Sequence, residues 1–389
     1  MATVVILSNG HGEDAVGALL AREMLNLCPE LAVKAFPLVG AGLAYQRLGL
    51  PVLGPRRQLP SGGLMLHSSS LLWQDLCAGF LSMTFSQLGD LHRLRAEVLV
   101  VVGDIYAQLL SLPARAEVRF VVQTLVSAWH TQDRHRTLPN RYFMETISLP
   151  ERLLMRHLAR RVYVRDRETE CLLRSRGVSR VSALGNPMLD GLAAAPLAEL
   201  AGQGRVIALL PGTRAYAGTA LQMMLAALEC LPGTTGVVAW AGGDLPEVRG
   251  WHAEELAAAT TGHLMTLRRG RSVVHVYERC FAEVLRSSCL ALATAGTANE
   301  QAAALGLPVV SFPLPPFYSQ AFLDNQGRLL GEALIVVRPQ PAAVAAALQR
   351  LLEDPARRRR IAGVGPLRLG APGGSRAIAA DLLRRAGLL

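Results

Sequence analysis

Short, wholly apolar runs recur along the chain, separated by longer segments in which apolar residues return at helical spacing. The short runs predict strands at Val4–Leu7, Val33–Phe36, Val98–Val102, Arg119–Gln123, Arg161–Val164 and Val181–Leu184. A second series predicts strands at Val206–Leu210, Gly236–Trp240, His263–Leu267, Leu290–Thr294 and Val309–Phe312. A strand that is apolar at nearly every position must be covered on both faces, as in a parallel sheet flanked by helices. Helices are predicted between the strands, among them Ala15–Leu27, Gly218–Cys230 and Asn299–Leu305, and another is predicted to open at Asn325–Arg328. Repeated strand–helix units imply α/β domains with parallel sheets and right-handed crossovers.

The two series part at Asp190–Gly204, a stretch rich in Ala and Gly that carries no strand signal. This predicts a first domain over residues 1–195 and a second over 204–368, each Rossmann-like and doubly wound. Two such domains on a linker enclose a cleft between the carboxyl ends of their sheets, where ligands of open α/β sheets gather.

Composition narrows the partners. The 389 residues are 51% hydrophobic and 18% charged, the balance of a globular chain. Lys and Arg outnumber Asp and Glu by 40 to 30, a net charge of +10, which suits an anionic partner. Aromatic residues are only 5% and no nucleic-acid-binding signature is present, so a phosphate-bearing substrate or a membrane surface ranks above nucleic acid. The first residues lack the basic region of a signal peptide, and no apolar stretch reaches the roughly 18 residues of a membrane span, so a cytoplasmic protein is expected. The six cysteines lie far apart with no C-x-x-C pair, as expected of free thiols in a reducing compartment.

One segment departs from the alternation. Ser61–Gln87 is apolar with a single charge and follows a Pro-rich turn containing Arg56 and Arg57. It reads either as a buried helix pair or as an interfacial patch that engages lipid, with the two arginines meeting anionic headgroups. The run Arg357–Arg360 reads as a solvated helix face or as a phosphate contact.

Four loops at predicted strand ends carry candidate chemistry. Ser8–Asp14 joins the first strand to the first helix, and its Gly10 and Gly12 allow a substrate close to backbone amides. The spacing is not G-x-G-x-x-G, and no acidic residue follows the second strand, which argues against a dinucleotide cofactor. His11, Glu13 and Asp14 supply titratable groups there, although Asp14 equally suits the N-cap of the helix. Asp104 ends a wholly apolar strand and is a candidate general base, or a cap or turn residue. Pro211-Gly212-Thr213-Arg214 and Ala295-Gly296-Thr297-Ala298 place Gly-Thr turns before helices, where amides bind anions, and Arg214 can grip a diphosphate with its fork.

At these residues the chain resembles the lipid-A-disaccharide synthase family over nearly its full length. It is more distantly similar to the glycosyltransferase that adds N-acetylglucosamine to a lipid-linked muramyl peptide. Leu209–Arg214 looks like the family's Leu-Leu-Pro-Gly-Ser-Arg, and Ala295–Ala298 resembles its Ser-Gly-Thr-Ala turn. Asp104 falls where the family has a required aspartate, Ser127–Trp129 is similar to its Val-Trp-Ala-Trp segment, and Leu184–Asp190 to its Ile-Gly-His-Thr-Met-Ala-Asp. The first loop departs from the family's Gly-Glu-Xaa-Ser-Gly-Asp, and Gln301 stands where the family has Glu, with Glu300 one place earlier, which points to a related subfamily.

The resemblance implies a GT-B architecture of two Rossmann-like domains facing across a cleft. The first would hold the acceptor, the second a UDP-sugar donor, and a terminal helix near Ser375–Leu389 would pack back on the first. The reaction would be sugar transfer to a hydroxyl of a lipid or lipid-linked acceptor, by an enzyme associated peripherally with the inner face of the cell membrane. Asp104, His11 and Glu13 would serve catalysis. Gly212, Thr213, Arg214, Gly296, Thr297, Ala298, Glu300, Gln301, Asn325 and Gln326 would bind the donor, and Gly10, Gly12 and Trp129 would lie on the acceptor side. No metal or cofactor is expected beyond the UDP-sugar substrate, since Arg214 and helix N-termini would take a metal's role and no Asp-x-Asp motif occurs. The rival expectations are an enzyme like UDP-N-acetylglucosamine 2-epimerase, and a non-catalytic protein that binds lipid or nucleotide sugar.

Overall fold

A computed structural model describes residues 2–56, 79–131, 147–241, 245–255, 262–316 and 318–389. The side chain of His11 lies outside the described set, as do residues 57–78, which include most of the apolar Ser61–Gln87 segment. The chain separates into two compact units, Met1–Asp190 with Gly370–Leu389, and Gly191–Leu369.

Unit 1 contains β1 (Thr3–Ser8), β2 (Ala32–Pro37), β3 (Arg95–Val102), β4 (Arg115–Gln123), β5 (Arg161–Val164) and β6 (Val181–Ala183), paired in parallel in the order β2-β1-β3-β4-β5-β6. The residues of β1 show why its run is apolar throughout. Val4 and Ile6 pack on one face with Leu20, Met24, Ile378 and Leu382, while Val5 and Leu7 pack on the other with Met83, Leu91 and Met155. Alternate side chains of a strand point to opposite faces, so a sheet covered twice needs apolar residues at every position. The first face is covered by the helices His11–Leu27 and Gly374–Ala386; the second by Phe80–Arg93, Ile105–Leu110, Leu149–Leu158 and Arg167–Ser175.

The two stretches of unit 1 are stitched together where they meet. Asp190 accepts hydrogen bonds from the Ser375 amide at 2.7 Å, the Gly373 amide and the Ser375 hydroxyl. The Asn186 amide donates to the Ala371 carbonyl at 2.7 Å. Gly185 and Gly374 approach so closely that a Cβ on Gly374 would lie 2.6 Å from the Gly185 carbonyl carbon.

Unit 2 contains β7 (Val206–Leu210), β8 (Thr235–Trp240), β9 (His252–Glu255), β10 (His263–Arg269), β11 (Ser272–Glu278), β12 (Leu290–Ala293), β13 (Val309–Ser311) and β14 (Leu334–Val336), in the order β14-β13-β12-β7-β8-β11-β10-β9. The pairings are parallel from β14 through β11, but β11-β10-β9 is antiparallel, which corrects the expectation of unbroken strand–helix repetition. The reason is local: Gly270-Arg271 closes a two-residue turn, with Gly270 at φ +57° and Arg269 paired with Ser272, so the chain doubles back as a hairpin. A second correction concerns Asn325, which lies inside the helix Gln320–Leu330 and does not open it; Ser319 caps that helix, accepting from the Phe322 amide at 3.2 Å. Among the described residues, no helix is long and apolar enough to cross a membrane.

Candidate functional site

In unit 1 the strand order reverses between β1 and β3, and the loops leaving the carboxyl ends of these two strands meet. Such switch points are where open α/β sheets bind ligands. The Asn9 amide donates to the Val102 carbonyl at 3.3 Å, and Asn9 Nδ2 donates to Asp104 Oδ1 at 3.2 Å. Gly103 sits at φ +144°, and a Cβ there would lie 3.1 Å from both Asn9 Cβ and Ala107 Cβ, so a larger residue would push the loops apart. Asp104 caps the helix Ile105–Leu110, accepting from the Tyr106 amide at 3.1 Å. Its carboxyl is pushed up by burial and pulled back by the amides of Tyr106 and Ala107. Capping and a chemical role are compatible, since the cap engages the carboxylate without consuming both oxygens' lone pairs.

The first helix begins at His11 with Gly10 as its N-cap, so Asp14 is not the cap the sequence suggests. Asp14 is instead buried, 2% exposed, beneath the turn. Ser8 Oγ donates to Asp14 Oδ1 at 2.5 Å, and the Tyr45 hydroxyl donates to Ser8 Oγ at 2.8 Å. Gly17 makes room for this chain of bonds, because a Cβ there would fall 2.0 Å from the Tyr45 hydroxyl. Burial pushes the Asp14 carboxyl up to about 7. Glu13 is also pushed up to about 7, first by burial and then by the charges of Asp104 and Asp14, against the amides of Glu13 and Gly10.

Trp129 follows the end of β4, on the turn Ala128–Thr131. Its backbone is pinned through Ser127: the Trp129 amide donates to Ser127 Oγ at 3.2 Å, and Ser127 Oγ donates to Asp166 Oδ2 at 2.7 Å. Asp166 in turn caps the helix Arg167–Ser175 after β5. One acid in this region was absent from the sequence reading. Glu151, 2% exposed, accepts at Oε1 from Gln108 Nε2 at 3.1 Å and Gln123 Nε2 at 2.9 Å. Burial pushes it up to about 7, and the Asp104 charge adds to the rise. Its only sequence signal is Ser148-x-x-Glu151, the spacing of a helix cap, which conceals the contact.

Unit 2 repeats the arrangement where its own order reverses, between β7 and β12. The turns after these neighbouring strands lock together. Thr294 donates from its amide to the Leu210 carbonyl at 3.1 Å and from Oγ1 to the Pro211 carbonyl at 3.1 Å, while the Tyr216 hydroxyl donates to the Thr294 carbonyl at 3.0 Å. Gly212 adopts φ +90° and lies so near that a Cβ would be 3.2 Å from Ala295 Cβ. The structure thus brings Gly212, Thr213 and Arg214 beside Gly296, Thr297 and Ala298, with Thr213, Arg214 and Thr297 exposed. The N-cap of the helix Gly296–Ala304 is Ala295, which makes no side-chain cap bond, and a helix start carries partial positive charge.

Behind the second turn, Asn299 Nδ2 donates to the Tyr318 hydroxyl at 2.8 Å, and the Phe322 ring lies 5.3 Å from that of Tyr318. Gln326 is buried and donates to Glu300 Oε1 at 3.1 Å, while its own Oε1 has no partner among the described residues. Gln301 is half-buried on the same helix as Glu300. Asn325 is exposed, whereas its neighbour Gln326 is buried against that helix.

No protein-family profile matches the chain, and no curated protein matches it. Solved structures do. The calicheamicin glycosyltransferase is 15% identical with a TM-score of 0.59, covering 100% of this chain and 98% of its own. The glycosyltransferase of kitacinnamycin is 15% identical with a TM-score of 0.59, covering 99% of each chain. The UDP-GlcNAc 2-epimerase of Neisseria meningitidis, solved with UDP-GlcNAc bound, is 13% identical with a TM-score of 0.53, covering 98% of this chain and 100% of its own. The fold is GT-B. In this GT-B chain unit 1 carries the carboxylates Glu13, Asp14, Asp104 and Glu151, and unit 2 carries the paired Gly-Thr turns with Arg214.

Proposed function

We propose that the protein transfers a sugar from a UDP-sugar to a hydroxyl of a lipid or lipid-linked acceptor, in the manner of lipid-A-disaccharide synthase. The observation that carries this reading is the locked pair of turns at the ends of β7 and β12, one ending in an exposed arginine and the other opening an uncapped helix. Backbone amides at such a helix start, with a guanidinium beside them, favour a diphosphate. Arg214, Gly212, Thr213, Gly296, Thr297 and Ala298 hold the diphosphate; Glu300, Gln301, Gln326 and Asn325 serve the nucleoside and sugar. As the bond from the anomeric carbon to UDP breaks, charge builds on the leaving phosphate, and Arg214 with the helix amides offsets it without a metal or cofactor.

In unit 1, Asp104 takes the acceptor's hydroxyl proton as that oxygen attacks the anomeric carbon. Burial raises the carboxyl, which makes its anion a stronger base. Glu13 and His11 assist or replace it, while Gly10, Gly12 and Trp129 lie on the acceptor side. A lipid acceptor calls for a membrane face. The helices covering one side of the unit 1 sheet expose Phe85, at 70%, and Leu109, Leu153 and Leu158, and the turn after Ile105–Leu110 exposes Leu112, with Arg93, Arg156, Arg160 and Arg180 exposed on the same unit. Apolar side chains beside cations suit an anionic leaflet, and the proposed location is the cytoplasmic face of the cell membrane.

The epimerase reading shares the donor unit, and the Neisseria meningitidis structure holds UDP-GlcNAc. Products separate the two. Purified protein given a panel of UDP-sugars and extracted membrane lipid should release UDP and form a glycolipid visible by mass spectrometry. Interconversion of UDP-GlcNAc with its 2-epimer, without added lipid and without UDP release, would establish the epimerase instead. Binding of UDP-sugar with neither product would leave a binding protein.

A further inference from the structure

Tyr216 is the residue at which the first Gly-Thr turn of unit 2 becomes a helix, and the transfer just described gives it no task. It is the N-cap of the helix Ala217–Glu229, yet its side chain caps nothing. The backbone there is already tied to Arg214: the Ala217 amide donates to the Arg214 carbonyl at 2.8 Å, and the Ala220 amide to the Tyr216 carbonyl at 2.9 Å. The Tyr216 hydroxyl reaches across to the neighbouring strand end and donates to the Thr294 carbonyl at 3.0 Å. Thr294 stands two residues before the helix Gly296–Ala304. One side chain therefore joins the starts of two helices that follow the paired strands β7 and β12.

The Thr294 carbonyl lies past the last paired residues of β12, so the sheet supplies it with no donor. The amide and hydroxyl of Thr294 are taken up by the Leu210 and Pro211 carbonyls, so every polar group of this fully buried residue is turned on the first turn. The Tyr216 ring lies 6.1 Å from that of Tyr318, which lies 5.3 Å from that of Phe322, and Phe322 rests against Gly296. A phenylalanine would fill the same space, so packing does not call for the hydroxyl. Burial pushes that hydroxyl up and the Arg214 charge works against the rise, which places the guanidinium within electrostatic reach of it.

We propose that Tyr216 is a positioning residue for the diphosphate grip, its hydroxyl holding Arg214 in register with the helix start at Gly296. The proposal rests on the donor reading given above. A diphosphate needs the guanidinium and the second turn's amides at once, whereas a monophosphate needs one set alone. Fixing the two sets before the ligand arrives spares the ligand the cost of ordering them. The hydroxyl therefore favours a nucleoside diphosphate over the monophosphate of the same nucleoside.

The test is Y216F in the full chain, which keeps the ring and removes one oxygen. Calorimetry with UDP, UMP and uridine reads the affinities. UDP binding should weaken by roughly three- to tenfold, the range of one hydrogen bond, and UMP and uridine by less than about twofold. Because Tyr216 acts through Arg214, the same substitution made in Arg214→Ala should change UDP affinity by less than about twofold. An unchanged UDP affinity, an equal loss for all three ligands with a fall in melting, or an undiminished loss in Arg214→Ala overturns the proposal. Should Y216F fail to fold, Thr294→Val removes the bond to the Pro211 carbonyl and is read in the same way; an unchanged preference for UDP over UMP there overturns it too. A wild type that binds UDP no better than UMP overturns the diphosphate reading and the proposal with it. A wild type that prefers UDP, with Y216F keeping that preference in full, overturns the proposal alone.

Discussion

Asp14 offers a stability measurement that needs no substrate. Its carboxyl is 2% exposed, receives one hydrogen bond from Ser8 at 2.5 Å, and has a second oxygen with no partner among the described residues. Burial raises it from 3.8 to about 7. In the unfolded chain the group ionises near 3.8, so between these values the folded protein holds a proton that the unfolded one has lost. Stability then falls as pH rises through this window. The contribution is unimpaired below about pH 4 and lost by about pH 8. A rise of about 3 units at roughly 1.4 kcal/mol each sets its size at about 4 kcal/mol. Asp14→Asn keeps the shape and an oxygen for Ser8 but cannot ionise. Urea unfolding at pH 5 and pH 8 measures the difference; the variant also frees Glu13 of the Asp14 charge that raises it, which adds to the difference in the same direction. Part of the loss is complete by pH 5, so wild type should lose up to about 3 kcal/mol more than the variant between the two pH values. Equal losses would refute the burial of an ionisable Asp14 as its source.

Asp104→Asn should lower turnover by about 100-fold or more while calorimetric UDP affinity stays at the wild-type value. Arg214→Ala should weaken UDP binding by roughly 30-fold or more, because a charge-assisted fork is lost from an otherwise intact turn. In Gly296→Ala the new Cβ would meet the Phe322 ring at 2.7 Å, so melting should fall by an amount worth about 1–3 kcal/mol, and Phe322→Leu in the same protein should recover part of it. His263 and His275, edge to face at 5.3 Å, are both held below the usual histidine value, first by burial. The unfolded chain therefore binds more protons below about pH 6.5, stability is lost as pH falls, and the double His→Gln variant should flatten that acid decline in denaturant titrations.

What could be read from the chain, and what could not, follows from how local each cause is. β5 and β7 carry the bounds their apolar runs predict, because a strand buried on both faces writes its burial into consecutive residues. β11 escaped notice because His275 and Tyr277 interrupt its valines, and β14 is three residues long, too short for a period to show. The four motif loops were visible because each is a continuous run after a strand. Their internal geometry was not. Ser8 and Tyr45 lie 37 residues apart, and Gln108 and Glu151 lie 43 apart, so no spacing in the sequence announces either bond. Asp14 looked like a cap because an apolar period starts at Ala15; the helix starts earlier, and Asp14 is drawn inward by the Ser8 hydroxyl.

The stitching of Asp190 to Gly373 and Ser375 has a consequence for the order in which the chain is completed. As the protein is synthesised, all six strands of the first sheet have been made once residue 183 is added. One of its faces still lacks the Ile378, Leu382 and Leu383 side chains that pack there with Leu20 and Met24, and Tyr163 still lacks Asp381, its partner at 2.9 Å. The whole of Gly191–Leu369 must be translated before that cover arrives. Unit 2 is continuous and has its last strand by residue 336. The half of the protein that begins first is therefore finished last, and until then it presents an uncovered apolar strip of the kind that chaperones bind.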